Sequence, residues 1–309
     1  VDKHSRKFTL FGLEPDSPDE RIWRPVRVKK IALIWPKGYD PTYSIPLPYG
    51  YLKSNIDESK YEIRIFDNTI LDRSSTDELF KKDLQEFDPD LVGVSTWSPM
   101  SIEAIDCLRV AKEINPEVIT CIGGAHATSY HEKIAGIRGV DFIFRGEADL
   151  SFSVFLEQLA NKNPDFSKVK GIAYRNAQNN IIYTEPRPLI PNMDDIPYPA
   201  YHLMDLDIYS ENYQLVNSEE AMNARRKLHI VTERGCPRQC TFCTHNGLSR
   251  WDQIVAIGKE KVRKMDDEYG FQQIARFNSA KYVVEHMQFL HDKYDVDYIF
   301  IADENLTTN

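Results

Sequence analysis

Three of the five cysteines, Cys236, Cys240 and Cys243, lie within eight positions of the chain. On a loop that leaves a strand, this spacing can turn three thiolates towards one small centre. Thiolates suit an iron–sulfur cluster or zinc. Three protein ligands on a four-iron cube leave one iron open, and an open iron can bind a substrate or a cofactor. The pattern therefore predicts a catalytic cluster rather than a simple electron carrier.

Two other metal sites have to be weighed against this one. A zinc site would take His245, but only one residue separates it from Cys243, and zinc ligands normally come in pairs two to four residues apart. A ferredoxin-type cluster would need a fourth cysteine. Cys107 and Cys121 lie far upstream, and we interpret both as buried small hydrophobic residues. The odd number of cysteines excludes complete pairing and suits a reducing, cytoplasmic compartment.

The elements before the cysteine loop alternate between strands and helices. Short apolar runs predict strands at residues 30–35, 61–66, 91–97, 118–122 and 140–144. Helices are expected near residues 49–56, after an N-cap at Thr76, after Ser98-Pro99 with Ile102 on the apolar face, and from Phe152 onward. This order predicts an α/β, doubly wound fold with a parallel sheet covered on both faces. Any ligand should lie over the carboxyl ends of its strands.

The pattern changes after residue 162. Two short runs flanking a polar turn predict a hairpin over residues 171–184, and a proline-rich stretch follows over residues 186–224. A strand over residues 227–232 then runs into the cysteine loop. After that loop, a helix should carry Val283, Met287, Leu290 and Tyr294 on one face, and a strand over residues 298–302 should end at Asp303.

Length, composition and charge exclude several classes of function. The 309 residues suggest two domains, and the formal net charge of −9 argues against a general nucleic-acid binder. No apolar run reaches the 18 or so residues that a membrane helix needs, and the polar start has no signal peptide. We therefore expect no nucleic-acid partner and no transmembrane segment.

The motif Arg-Gly-Cys-Pro-Arg-Gln-Cys-Thr-Phe-Cys at residues 234–243 resembles the signature of the radical S-adenosylmethionine (SAM) superfamily. From about Lys29 onward, the chain resembles the subgroup with a cobalamin (B12)-binding domain. Its supporting segments are Gly-Gly-Ala-His-Ala-Thr at 123–128, the run from Asp141 to Asp149, and Ile-Pro-Tyr-Pro-Ala-Tyr at 196–201.

The resemblance implies a function for each residue of the motif. Cys236, Cys240 and Cys243 would hold a [4Fe–4S] cluster, whose open iron binds SAM and whose electron releases a 5′-deoxyadenosyl radical. Phe242 would lie against the adenine of SAM. Asp303 and Glu304 would lie near its amino group, although an acidic residue that ends a strand is more often a solvated residue or a helix cap.

The resemblance also implies a cobalamin site at the strand ends of the first domain. The residues expected to line it are Ser95, Thr96, Trp97, Gly123, Gly124, His126, Gly146 and Glu147. Glycine lets backbone approach a bulky ligand closely. No histidine occurs between His4 and His126, so the loop after the first strand cannot supply a lower axial histidine. Whether Tyr39, Tyr43 or His126 approaches the cobalt stays open.

The resemblance divides the chain into four parts. These are an N-terminal extension (1–28), a Rossmann-like cobalamin-binding domain (29–185), a proline-rich linker (186–224) and the start of a radical SAM partial barrel (225–309). Only 73 residues follow Cys236, whereas six strand–helix units need roughly 200. We therefore interpret the chain as a fragment.

The implied activity is a cobalamin-dependent radical SAM methyltransferase acting on carbon or phosphorus. A non-methylating cyclase or rearrangement enzyme shares the same architecture. A zinc- or cluster-stabilised binding module without radical chemistry is the alternative from another class. The substrate, whether small molecule, lipid or peptide, stays open, and the expected electron donor is a flavodoxin or ferredoxin.

Overall fold

The computed structural model describes residues 27–38, 44–57, 59–176, 178–212, 218–236 and 275–303. By their contacts the residues divide into two units. The first unit comprises residues 1–40 and 58–185, and the second comprises residues 41–57 and 186–309.

A seven-stranded sheet forms the centre of the first unit, in the order β2-β1-β3-β4-β5-β6-β7. Its strands are β1 Lys30–Trp35, β2 Glu62–Asp67, β3 Leu91–Ser95, β4 Ile119–Gly123, β5 Phe142–Phe144, β6 Ile172–Arg175 and β7 Ile181–Tyr183. The first five are parallel, and β6 and β7 are antiparallel to their neighbours. The α/β fold is confirmed. The parallel sheet that the alternation predicts is found in β1 to β5, and the predicted hairpin adds two antiparallel strands beside β5.

Four helices of this unit are α2 Glu78–Phe87, α3 Ser101–Ile114, α4 Gly124–Ile134 and α5 Ser151–Ala160. The N-cap of α2 is Asp77 rather than Thr76, since its carboxylate accepts from the amides of Leu79 and Phe80. Before α3, residues 98–100 form a 3₁₀ turn. Ile102 is 38% exposed, so its expected place on the apolar face is wrong.

The core of this unit covers both faces of the sheet. Ile31, Leu33 and Ile34 of β1 are at most 1% exposed, as the uninterrupted apolar run predicts for a central parallel strand. On α3, Leu108 is fully buried. The edge where β3, β4 and β5 end is therefore carried by a well-packed scaffold.

The second unit begins with α1 Leu47–Ser54, which lies between β1 and β2 in the sequence. Its strands form two ladders. β8 Lys227–Ile230 is parallel to β11 Tyr298–Ile301, and β9 Glu233–Arg234 is antiparallel to β10 Arg276–Phe277. Further helices among its described residues are α6 Leu206–Glu211, α7 Glu219–Asn223 and α8 Ala280–Tyr294. The stretch from 186 to 224 thus contains short helices and is not simply extended.

Helix α8 buries Leu290 completely, as its apolar spacing predicts. Val283, Met287 and Tyr294 are half-buried. The helix also buries His286, which the apolar pattern did not indicate. Within the described residues, no helix has the length and apolarity needed to cross a membrane.

Candidate cofactor sites

The carboxyl ends of β3 and β4 are joined through their backbones. Ser95 and Gly123 are register partners, and the amide of Thr96 donates to the carbonyl of Gly123 at 2.9 Å. The amide of His126 donates in turn to the carbonyl of Thr96 at 3.1 Å. These bonds fix the loop after β3 against the start of α4.

Gly124 is a position that only glycine fits. Its φ is +91°, in the left-handed region that side chains disfavour. A Cβ there would lie 2.7 Å from the carbonyl oxygen of Thr96 and 2.8 Å from Oγ of Ser95. Two loops therefore approach each other backbone to backbone, and the edge of the sheet stays free of side-chain bulk at this point.

The side chain of Thr128 links the loop after β5 to the start of α4. Its hydroxyl donates to the carbonyl of Gly124 at 2.9 Å and accepts from the amide of Gly146 at 3.0 Å. Gly146 has a φ of +74° and is exposed, and the half-buried Glu147 follows it. Thr128 was not among the residues predicted to line the site, because its contact with Gly146, 18 residues later, leaves no local pattern.

His126 is buried at this edge. Its Nδ1 lies 3.0 Å from Oγ of Ser98, and its ring lies 4.7 Å from that of Tyr130. Burial lowers the pKa of His126, so the neutral imidazole is favoured. Trp97, in contrast, is 60% exposed.

The eight residues expected to line a cobalamin site thus lie at the ends of three adjacent strands. Gly124 lets the loop after β3 close on the start of α4, and the exposed ring of Trp97 offers an apolar surface beside these joined loops. Their contact with cobalamin stays a prediction.

In the second unit, β9 leads into the cysteine motif. Gly235, with a φ of +90°, separates Arg234 from Cys236, which is half-buried. A partly accessible cysteine fits the proposed thiolate ligand. Cys240, Cys243, Phe242 and Glu304 lie outside the described residues, as do Tyr39 and Tyr43. In the part of the chain that the structure describes, no three histidine, cysteine or acidic residues could together hold a metal ion.

Asp303, at the end of β11, accepts three hydrogen bonds from the chain before the motif. The amide of Thr232 donates at 2.6 Å, the hydroxyl of Thr232 makes a second short bond, and the amide of Glu233 donates at 3.3 Å. Asp303 therefore holds the loop between β8 and β9. Its predicted approach to SAM stays a prediction.

Comparison with known proteins agrees with these features. The model of the B12-binding domain family matches residues 44–156. Cytidylyl-2-hydroxyethylphosphonate methyltransferase of Streptomyces wedmorensis is 27% identical, over 99% of this chain and 61% of its own. Anaerobic magnesium-protoporphyrin IX monomethyl ester cyclase of Rubrivivax gelatinosus is also 27% identical, over 90% of this chain and 43% of its own.

A solved structure shares the fold. The radical SAM methyltransferase TsrM from Kitasatospora setae, with cobalamin and a [4Fe–4S] cluster bound, has a TM-score of 0.58 at 15% identity, over 91% of this chain and 49% of its own. This chain therefore spans only part of each of these proteins: 61% of the Streptomyces methyltransferase, 49% of TsrM and 43% of the cyclase.

Proposed function

This chain is related to the radical SAM proteins that carry a B12-binding domain, and on that premise we propose that it is a cobalamin-dependent radical SAM enzyme. More narrowly, we propose that it methylates an unactivated carbon or phosphorus centre. The observation that carries the proposal is the set of hydrogen-bonded loops at the ends of β3, β4 and β5, which lies within the stretch matched by the B12-binding family.

Each cofactor has candidate residues on the chain. Cys236, Cys240 and Cys243 would hold a [4Fe–4S] cluster, and Phe242, Asp303 and Glu304 would contact SAM. The residues at the ends of β3, β4 and β5 would hold cobalamin. When bound, these groups supply an electron for SAM cleavage and a carrier for a methyl group.

The chain's own residues prepare these sites. The bonds of Thr96 with Gly123 and His126, and those of Thr128 with Gly124 and Gly146, hold the loops at fixed spacing, so that a ligand would meet a preformed backbone surface. Burial lowers the pKa of His126, which favours the neutral imidazole, and Ser98 orients the ring; both suit a hydrogen bond to an amide or hydroxyl. Asp303 accepts hydrogen bonds from Thr232 and Glu233 and so fixes the segment that leads to Cys236.

Cyclisation is the second candidate reaction, because relatives of similar identity include a cyclase as well as methyltransferases. Methylation is preferred because several related proteins are named as methyltransferases. A flavodoxin or ferredoxin donor, and a substrate of small-molecule, lipid or peptide nature, belong to this proposal.

The test is anaerobic purification of the protein, followed by iron, sulfide and cobalt analysis and incubation with reductant and SAM. We expect about four irons per chain, uptake of hydroxocobalamin, and release of both 5′-deoxyadenosine and S-adenosylhomocysteine in the presence of substrate. Deoxyadenosine without S-adenosylhomocysteine would exclude methylation and favour the cyclase. Zinc in place of iron would contradict the whole proposal.

A further inference from the structure

Helix α1 is fixed closely on the segment that follows Tyr198. A Cβ on Gly50 would lie 2.7 Å from Cβ of Pro199, so the two backbones touch. The amide of Ala200 donates to the carbonyl of Gly50 at 3.1 Å, and the hydroxyl of Ser54 donates to the carbonyl of Tyr198 at 2.6 Å. Helix α1 therefore has a defined position in the second unit.

The same segment is fixed on α8 by aromatic residues. The ring of Tyr198 stacks on that of His286 with centroids 4.2 Å apart and planes 6° from parallel. The hydroxyl of Tyr201 lies 3.0 Å from Nε2 of His286, and the hydroxyl of Tyr282 donates to the carbonyl of Ile196 at 2.7 Å. Burial raises the pKa of Tyr201 and Tyr282, so both hydroxyls stay protonated.

Tyr51 of α1 presents its ring to the chain that enters the cysteine motif. The guanidinium of Arg234 lies 5.0 Å from the ring centroid, within the range of a cation–π contact. Arg234 is the register partner of Arg276 on the β9–β10 ladder. Like charges placed opposite each other repel. The contact with Tyr51, and the bond from Nη1 of Arg276 to the carbonyl of Ile190 at 2.9 Å, give each cation an electron-rich neighbour.

We propose that Tyr51 is a positioning residue for the cysteine motif. By holding Arg234, it fixes the course of the chain into Cys236 two residues later. Gly235 between them is conformationally permissive, so the direction of the loop depends on the anchor before it. This inference rests on the proposed function, because retention of the cluster is its main readout.

The test compares three variants of the protein after anaerobic reconstitution. Tyr51→Leu removes the ring, Tyr51→Phe keeps its face, and Tyr298→Leu removes a half-buried tyrosine at the start of β11 as a matched control. The rate of iron release to a chelator and the EPR spectrum of the reduced cluster with and without SAM are measured.

We expect Tyr51→Leu to release iron about 2- to 30-fold faster than the unmodified protein, the range that loss of a cation–π contact allows. Its EPR spectrum should also broaden. Tyr51→Phe and Tyr298→Leu should release iron at rates within about twofold of that of the unmodified protein, because both keep an aromatic face beside Arg234.

An unchanged release rate and spectrum in Tyr51→Leu, or equal loss in Tyr51→Phe, would overturn the inference. If the unmodified protein takes up no cluster, the proposed function fails instead. The alkylation rate of Cys236 in the apo-protein then decides whether Tyr51 positions this cysteine. That rate should rise in Tyr51→Leu and not in Tyr51→Phe. Should Tyr51→Leu not fold, the pair Arg234→Gln and Arg234→Lys tests the same contact from its other side.

Discussion

Replacing Gly124 with alanine places a methyl group where the loop after β3 already lies. The new Cβ would approach the carbonyl oxygen of Thr96 to 2.7 Å, and its amide nitrogen and Oγ of Ser95 to 2.8 Å. Two of these three atoms are backbone and cannot rotate away. The left-handed backbone costs an L-residue about 1–2 kcal/mol, and overpacking costs about 1–3 kcal/mol more. We therefore expect Gly124→Ala to lose about 2–5 kcal/mol of unfolding free energy.

The assay is thermal unfolding of the apo-protein together with titration by hydroxocobalamin. A loss of this size corresponds to a Tm lower by about 4–20 °C. Gly123→Ala is the matched control, since Gly123 has an extended φ of −141° and a Cβ there meets Phe144 at an ordinary 3.5 Å. Equal melting temperatures for the two variants would refute the steric reasoning. An unchanged cobalamin affinity in Gly124→Ala, relative to the unmodified protein, would refute the role of Gly124 in the site.

Three other outcomes are expected. Lys112→Met should lower the free energy of unfolding in urea by about 3 kcal/mol, because it removes the ammonium group 2.7 Å from the largely buried carboxylate of Asp141. The double variant with Asp141→Asn should recover most of this loss. Burial lowers the pKa of His286 to about 4, below the value of about 6.5 expected in the unfolded chain. The stability that depends on the neutral imidazole is therefore fully present above pH 6.5 and is lost as the pH falls towards 4. His286→Gln should then show a shallower fall of Tm over that interval, and an unchanged slope would contradict this. Asp303→Ala should lower stability by about 1–3 kcal/mol through the unsatisfied amide and hydroxyl of Thr232, and Asp303→Asn, which keeps an acceptor, should lose less.

The strands and the edge at which they end were predictable because they depend on local patterns. The apolar run of β1 and the double glycine after β4 both mark the sheet and its carboxyl edge without reference to distant residues. Helix α4 was missed, since its polar residues His126 and Thr128 leave no apolar stripe. They are buried through contacts with the neighbouring loops.

Partners far apart in the sequence could not be predicted from local pattern. The hairpin β6–β7 was recognisable from its polar turn, but nothing local shows that β6 pairs with β5. The burial of His286 depends on the hydroxyl of Tyr201, 85 residues earlier. The place of α1 in the second unit likewise depends on Ala200, 150 residues later.

The position of α1 has a consequence for biosynthesis. Gly50 leaves the ribosome 150 residues before its partner Ala200. At typical rates of synthesis this delay is about 8–30 s. An eight-residue helix is marginal in water on its own. During this interval α1 lacks the segment around Ala200 against which Gly50 packs, so this part of the nascent chain offers a binding site to chaperones.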